Sequence, residues 1–143
     1  MSGLIQFEAN FVSAPSAVAD ARHAVREFAV RAGLDPWDTS DVVLAAGEAC
    51  NNAAEHAHVA GGRFTVRGVD DGNALAIEVT DYGGGFDLAG KGAGMDPEER
   101  GVRGLGIFLM RCLMDEVSYS TDGDGTTVRL VKRSPHRHLN EAV

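Results

Sequence analysis

Cysteine is scarce in this sequence: Cys50 and Cys112 are the only two, too few for a disulfide framework. Both sit in apolar helical surroundings and read as small core residues. Positive charge is short as well. Thirteen Lys and Arg face 21 Asp and Glu, which leaves a net charge of −8. Broad binding to nucleic acid or to a membrane surface needs clustered positive charge, so both are disfavoured. No apolar run approaches the ~18 residues of a membrane span. The opening residues, Met1-Ser2-Gly3-Leu4-Ile5-Gln6-Phe7-Glu8, show neither a basic region nor an apolar stretch, so no signal peptide is expected. These absences together read as a cytoplasmic protein. What is present is an ordinary globular mix, 44% hydrophobic and 24% charged over 143 residues, enough for one domain with a real core.

The periodicities divide the chain into short elements. Ile5 to Val12 alternates, with Ile5, Phe7, Ala9 and Phe11 on one face, which predicts an edge-type strand. Apolar residues then recur at helical spacing from Ala17 to Ala32, with Gly33 as a stop. Asp35-Pro36-Trp37-Asp38 reads as a capped helix start, and the helix is expected to run from Trp37 to His58. Arg63–Val69 and Ala74–Thr80 alternate around Asp70-Asp71-Gly72-Asn73, a hairpin signal. Residues 82–103 are glycine-rich and lack periodicity, and a loop of that length in a compact domain is usually functional or disordered. A third helix is expected over Gly104–Met114. Strands are expected at Val117–Thr121 and Thr126–Val131, flanking Asp122-Gly123-Asp124-Gly125. Residues 1–133 should form a single domain and 134–143 a flexible tail. Hairpins with segregated helices argue for an α+β, two-layer sandwich, its mainly antiparallel sheet covered on one face by helices.

Three stretches carry polar residues where simple packing would not place them. The second helix is almost wholly apolar, yet it contains Glu48, Asn51, Asn52, Glu55 and His56. Glu48, Asn52 and Glu55 fall within about 60° of arc. Spacing alone suits a solvated stripe, or a carboxylate and an amide aimed at a cleft, where one takes a proton and the other ligates a hard cation. Next, Val79-Thr80-Asp81-Tyr82-Gly83-Gly84-Gly85 ends a strand in Asp and then removes Cβ atoms. It reads as a plain glycine turn, or as an acceptor for an exocyclic amine with room for a ligand beside it. Last, Arg100-Gly101-Val102-Arg103-Gly104-Leu105-Gly106 runs into a helix, offering backbone N–H groups to an anion with two arginines nearby. This does not match the phosphate loop ending in Gly-Lys-Ser/Thr, nor the dinucleotide fingerprint.

Taken in order, Glu-x-x-x-Asn on a helix, Asp-x-Gly-x-Gly after a strand, a long glycine-rich loop and Gly-x-Gly opening a helix resemble the ATP-binding domain shared by DNA gyrase B, Hsp90, sensor histidine kinases and MutL. Within that superfamily, Glu48-Ala49-Cys50-Asn51-Asn52-Ala53-Ala54-Glu55-His56 and Arg103-Gly104-Leu105-Gly106-Ile107 look most like the anti-sigma-factor serine kinases. The resemblance covers about residues 5–133.

The resemblance implies the Bergerat, histidine-kinase/Hsp90-like fold. It also implies a protein serine/threonine kinase that uses ATP and Mg²⁺. Glu48 is then the base or orienting carboxylate, Asn52 the Mg²⁺ ligand, and His56 closes the same box. Asp81 takes the adenine amine, Gly83 and Gly85 make room for the base, and residues 86–103 form a lid. Gly104, Leu105 and Gly106 meet the phosphates, Arg100 or Arg103 the γ-phosphate, and Thr126 or Thr127 supports the adenine site. The implied substrate is a serine on an anti-sigma antagonist, a STAS-domain protein, with a sigma factor as alternating partner and a homodimer as the assembly. The rival reading is a nucleotide-gated module that holds a partner without phosphorylating it.

Overall fold

A computed structural model describes residues 4–58, 62–82, 106–121, 125–133 and 135–137, with the side chains of 56–58 outside the description. The elements are β1 (Ile5–Val12), α1 (Pro15–Arg31), α2 (Pro36–His58), β2 (Arg63–Asp70), β3 (Ala74–Asp81), α3 (helical over 106–113), β4 (Glu116–Thr121) and β5 (Thr126–Arg133). The expected lid, the Asp122–Asp124 turn and the first residues of the third helix lie outside the described residues.

The five strands form one sheet in the order β1-β2-β3-β5-β4, and every pairing is antiparallel. Period-2 alternation decides its two faces. On one face Phe64, Val66, Leu75, Ile77, Val79 and Leu130 are buried under the helices. On the other, Glu8, Arg67, Glu78 and Arg129 lie side by side in register and pair at 3.6, 3.1 and 3.4 Å. Such exposed pairs are worth little individually, but the row keeps an uncovered sheet face polar. The fold is therefore the expected α+β two-layer sandwich.

Local chemistry sets the helix ends. Pro15 occupies the first turn of α1, and the apolar stripe Ala17, Val18, Ala21, Val25, Phe28 and Ala29 is buried. Gly33, at φ 89°, ends the helix as expected, with the Leu34 amide returning to the Ala29 carbonyl. Asp35 caps α2 by accepting the Asp38 amide at 2.8 Å. Along α2, Val42, Ala45, Ala46, Ala49, Cys50 and Ala53 are all at most 4% exposed, so this face is committed to the core. In the β2–β3 turn, Asp71 accepts the Ala74 and Asn73 amides, and these bonds hold its carboxyl below the usual range.

Two expectations change. Cys112 is exposed on α3 and is no core residue, because the helix turns positions 110 and 114 inward instead. Cys50 is buried as expected, and burial pushes its thiol up to about 12. The tail also departs from expectation at 135–137. His136 donates its backbone N–H to Asp38 at 2.6 Å, and Leu34 forms an antiparallel bridge with Arg137. The Arg137 guanidinium grips the buried Asp70 carboxylate with two 3.0 Å bonds and also reaches the Ala32 carbonyl at 2.8 Å. One arginine thus ties the α1–α2 corner to the end of β2.

Replacing Arg137 with Ala leaves the Asp70 carboxylate buried without this partner, which should cost about 3–5 kcal/mol. Urea unfolding of Arg137→Ala beside Asp70→Asn/Arg137→Met checks this: the double variant should be the more stable of the two, and an Arg137→Ala midpoint equal to wild type would make the clasp idle. In the native state a thiol reagent at pH 8 should label Cys112 readily and Cys50 only on unfolding; equal labelling of both would contradict the burial of Cys50.

Candidate functional site

The site residues come from three elements that meet over one end of the sheet. On α2, Glu48 and Asn52 are half-buried on the side turned away from the most deeply buried stripe, and Glu55 is exposed. Glu48 points at the first described turn of α3: a β-carbon on Gly106 would lie 2.8 Å from Glu48 Oε1. A larger residue at 106 would turn the end of the Glu48 side chain aside, so glycine leaves the carboxylate facing the α3 backbone.

The second part is the end of β3. Asp81 is 3% exposed and pairs with Phe64 on β2 and with Thr126 on β5. Gly125 lies directly over it, where a β-carbon would collide with the Asp81 carbonyl oxygen. Thr126 is as buried as Asp81, and its hydroxyl has no hydrogen-bond partner among the described residues. A buried hydroxyl without a partner is costly; among the described residues the Tyr119 hydroxyl is in the same position. The donor set fits a purine nucleotide here: an acid and a hydroxyl side by side at a strand end, with a carboxylate and an amide on the helix beyond.

Register settles what periodicity left open. Asp81 and Thr126 share the helix-facing side of the sheet, while Thr80 and Thr127 share the opposite side and bond to each other at 2.8 Å. Of the two threonines named from the sequence, Thr126 therefore stands beside Asp81 and Thr127 is turned away. Glu48 and Gly106 are brought together. The His56 side chain and Gly83, Gly85, Arg100, Arg103, Gly104 and Leu105 lie outside the described residues.

Beside Asn52, the neighbouring stripe of α2 opens on a groove of about 490 Å³ lined by Ser13, Ala14, Pro15, Val18, Asn51, Ala54 and Glu55. Ser13 donates its hydroxyl to the Ala54 carbonyl across it. Sequence reasoning missed this groove, since the β1–α1 corner and α2 are some forty residues apart and share no local pattern. The signal at hand was Asn51, an amide that the expected roles did not use.

Among the described residues, no helix is long and apolar enough to cross a membrane. Comparison with known proteins agrees with this geometry. A model of the histidine kinase-like ATPase domain matches residues 11–132. The chain is 36% identical over 128 residues to the serine-protein kinase RsbW of Bacillus licheniformis, covering 82% of this chain and 79% of that one. It is also 36% identical over 136 residues to the anti-sigma F factor of Thermoanaerobacter sp. strain X514, covering 87% and 91%. Among solved structures, the RsbU and RsbW domains of a Mycobacterium tuberculosis protein superpose with a TM-score of 0.66 at 23% identity, over 92% of this chain and 33% of that one. That likeness supports the fold alone. The chain therefore belongs to the histidine kinase-like ATPase family and, within it, to the RsbW and anti-sigma F group of ATP-dependent protein serine/threonine kinases.

Proposed function

We propose that this chain binds MgATP between α2, α3 and the adjoining ends of β3 and β5, and phosphorylates a serine on an anti-sigma antagonist of STAS-domain type. It exchanges that partner for a sigma factor. The observation that carries the nucleotide part is the unpartnered Thr126 hydroxyl beside Asp81, at the same end of the sheet as the Glu48–Gly106 contact. The anti-sigma name of a relative at 36% identity supports the partner exchange.

The residues divide the work by their chemistry. Asp81 accepts the exocyclic amine of adenine, and Thr126 fills the neighbouring position on the base. Gly83 and Gly85 leave room for the ring. The Asn52 amide oxygen is a hard donor suited to Mg²⁺, with His56 one turn on. Backbone N–H groups of Gly104, Leu105 and Gly106 meet the phosphates at the helix start, and Arg100 or Arg103 brings charge to the terminal one. Bound MgATP supplies the electrophilic γ-phosphoryl group. Glu48 orients the acceptor serine and takes its hydroxyl proton as the oxygen bonds to that phosphorus and the bond to the bridging oxygen breaks, leaving ADP. The groove beside Asn51 lies on the same helix as Glu48 and is proposed as the docking place of the serine-bearing loop. The assembly is a homodimer, with β1 and α1 at the interface; among the described residues β1 pairs on one side only.

Calorimetry and labelled phosphoryl transfer test the assignment, with a STAS-domain protein from the same genome as acceptor. ATP binding should depend on Mg²⁺, and Asn52→Ala should lose that dependence. Thr126→Val should weaken binding about threefold to tenfold, the worth of one hydrogen bond. Glu48→Gln should keep ATP affinity within a few-fold while transfer falls by a factor of about 10²–10⁴. Transfer unchanged in Glu48→Gln sinks the base assignment. Binding without transfer by the wild type would leave the nucleotide-gated module.

A further inference from the structure

Lys132, at the end of β5, is one of two lysines in the chain, and the nucleotide site does not use it. Its side chain is 14% exposed. The ammonium donates to the Leu113 carbonyl at 2.6 Å and to Asp41 Oδ2 at 3.3 Å, and Asp38 Oδ1 lies 3.9 Å away. Leu113 is at the C-terminal end of α3, where carbonyls lack helical partners and a cation is favoured. Asp38 and Asp41 are in the first turns of α2.

The positions of these contacts carry the inference. Asp41 precedes Glu48 by seven residues, and Leu113 follows Gly106 by seven. Both separations are two helical turns, about 10 Å. The two helices therefore run past each other in opposite directions. They touch at two matched points: Glu48 against Gly106 at one end, and Asp41 through Lys132 to Leu113 at the other. Between these points Met110 is fully buried in the core, with Ile107 and Leu113 packed against it. Removing the ammonium therefore loosens the C-terminal end of α3, where its carbonyl loses that partner, while the core contacts keep the helix on the domain.

We infer that Lys132 is a positioning residue for phosphoryl transfer: by closing the far end of the α2–α3 pair it fixes the Glu48 carboxylate relative to the helix start that receives the phosphates. The inference rests on the functional reading above. Its effect falls on the catalytic step more than on nucleotide binding, because the base end of the site is held by the sheet, and misplacement by about 1 Å costs of the order of a hundredfold in rate.

The test uses the full chain with Lys132→Met, Lys132→Arg and Asp41→Asn. Hydrogen exchange is followed along α3 and along the β2–β3 hairpin, and KM for MgATP and kcat for ADP formation are measured separately at saturating STAS-domain acceptor. In Lys132→Met, amides 110–113 should exchange at least about tenfold faster with the hairpin unchanged, since only the local opening becomes easier. KM should move less than about threefold while kcat falls about tenfold to a hundredfold. Lys132→Arg should recover most of kcat, and Asp41→Asn should show the same pattern at smaller size. Unaltered α3 exchange in a folded Lys132→Met overturns the proposal, as does a kcat loss no larger than the loss of folded protein. If Lys132→Met does not fold, Asp41→Asn decides: faster α3 exchange with a kcat loss supports the role, and wild-type values for both overturn it. Failure of the wild type to bind MgATP would strike the functional reading, while exchange along α3 would still decide whether Lys132 pins the helix.

Discussion

The Glu48 carboxylate faces the α3 backbone because Gly106 lacks one atom. A β-carbon there would come within 2.8 Å of the carboxylate, so any other residue would turn the carboxylate aside. The body of α2 stays in place, because Val42, Ala45, Ala46, Ala49, Cys50 and Ala53 bind its inner face to the core with almost no exposure. Close packing makes such a face unforgiving of shifts. Four of these six residues are alanine, so the face that packs is built of small side chains. Glu48 and Asn52, half-buried, flank that face on the same helix. The apolar stripe and the polar stripe are therefore not independent features: the first fixes the helix that carries the second.

Much of this was legible in the sequence, and what was not has a common cause. Gly33, Asp35-Pro36 and Asp70–Asn73 act on backbone within a few residues, Gly33 by its own φ and Asp35 and Asp71 by side-chain oxygens that accept nearby amides, so their turns and caps could be read locally. The Glu48, Asp81 and Gly106 motifs were legible as a set, although none alone distinguished a site from a solvated stripe or a plain turn. The choice between Thr126 and Thr127 was not, because the two sit on opposite faces and one residue of register exchanges them. The clasp of Arg137 on Asp70 spans 67 positions and leaves no periodic trace, so a polar C-terminal stretch looked loose. The contacts of Lys132 with Asp41 and Leu113 span 91 and 19 positions and leave no periodic trace either. Cys112 failed differently: an apolar neighbourhood in sequence does not say which side of a helix faces out.

Charge follows a related logic. With a net charge of −8, anion binding has to be local. Yet several of the described cations are already engaged by carboxylates: Arg67 and Arg129 in the row on the open sheet face, Arg133 with Glu116, Lys132 with Asp41, and Arg137 with Asp70. Each of these pairs ties elements together, and none of them lies at the Glu48–Gly106 contact. In the function proposed above, the attraction for phosphate is assigned to the main chain at the start of α3 and to Arg100 and Arg103. That assignment keeps the anion-binding groups apart from the ion pairs that hold the sheet and the α1–α2 corner.

The two ends of the site are consequently built to different stiffness. Asp81 lies on the central strand of five and is laddered on both sides, to Phe64 and to Thr126. Moving it means breaking main-chain pairing in the middle of the sheet. α3 meets α2 through side chains, with a carboxylate against glycine at one end and an ammonium bridging to a carbonyl at the other. Contacts of that kind open at lower free energy than a central ladder. In the function proposed above, a difference between nucleotides that lies in the phosphates would be felt where the structure yields most easily, whereas the base, common to ATP and ADP, would be held where it yields least. A partner choice that follows the nucleotide would need that asymmetry: the base would keep either nucleotide in place, and the phosphate end would be left able to differ between the two states.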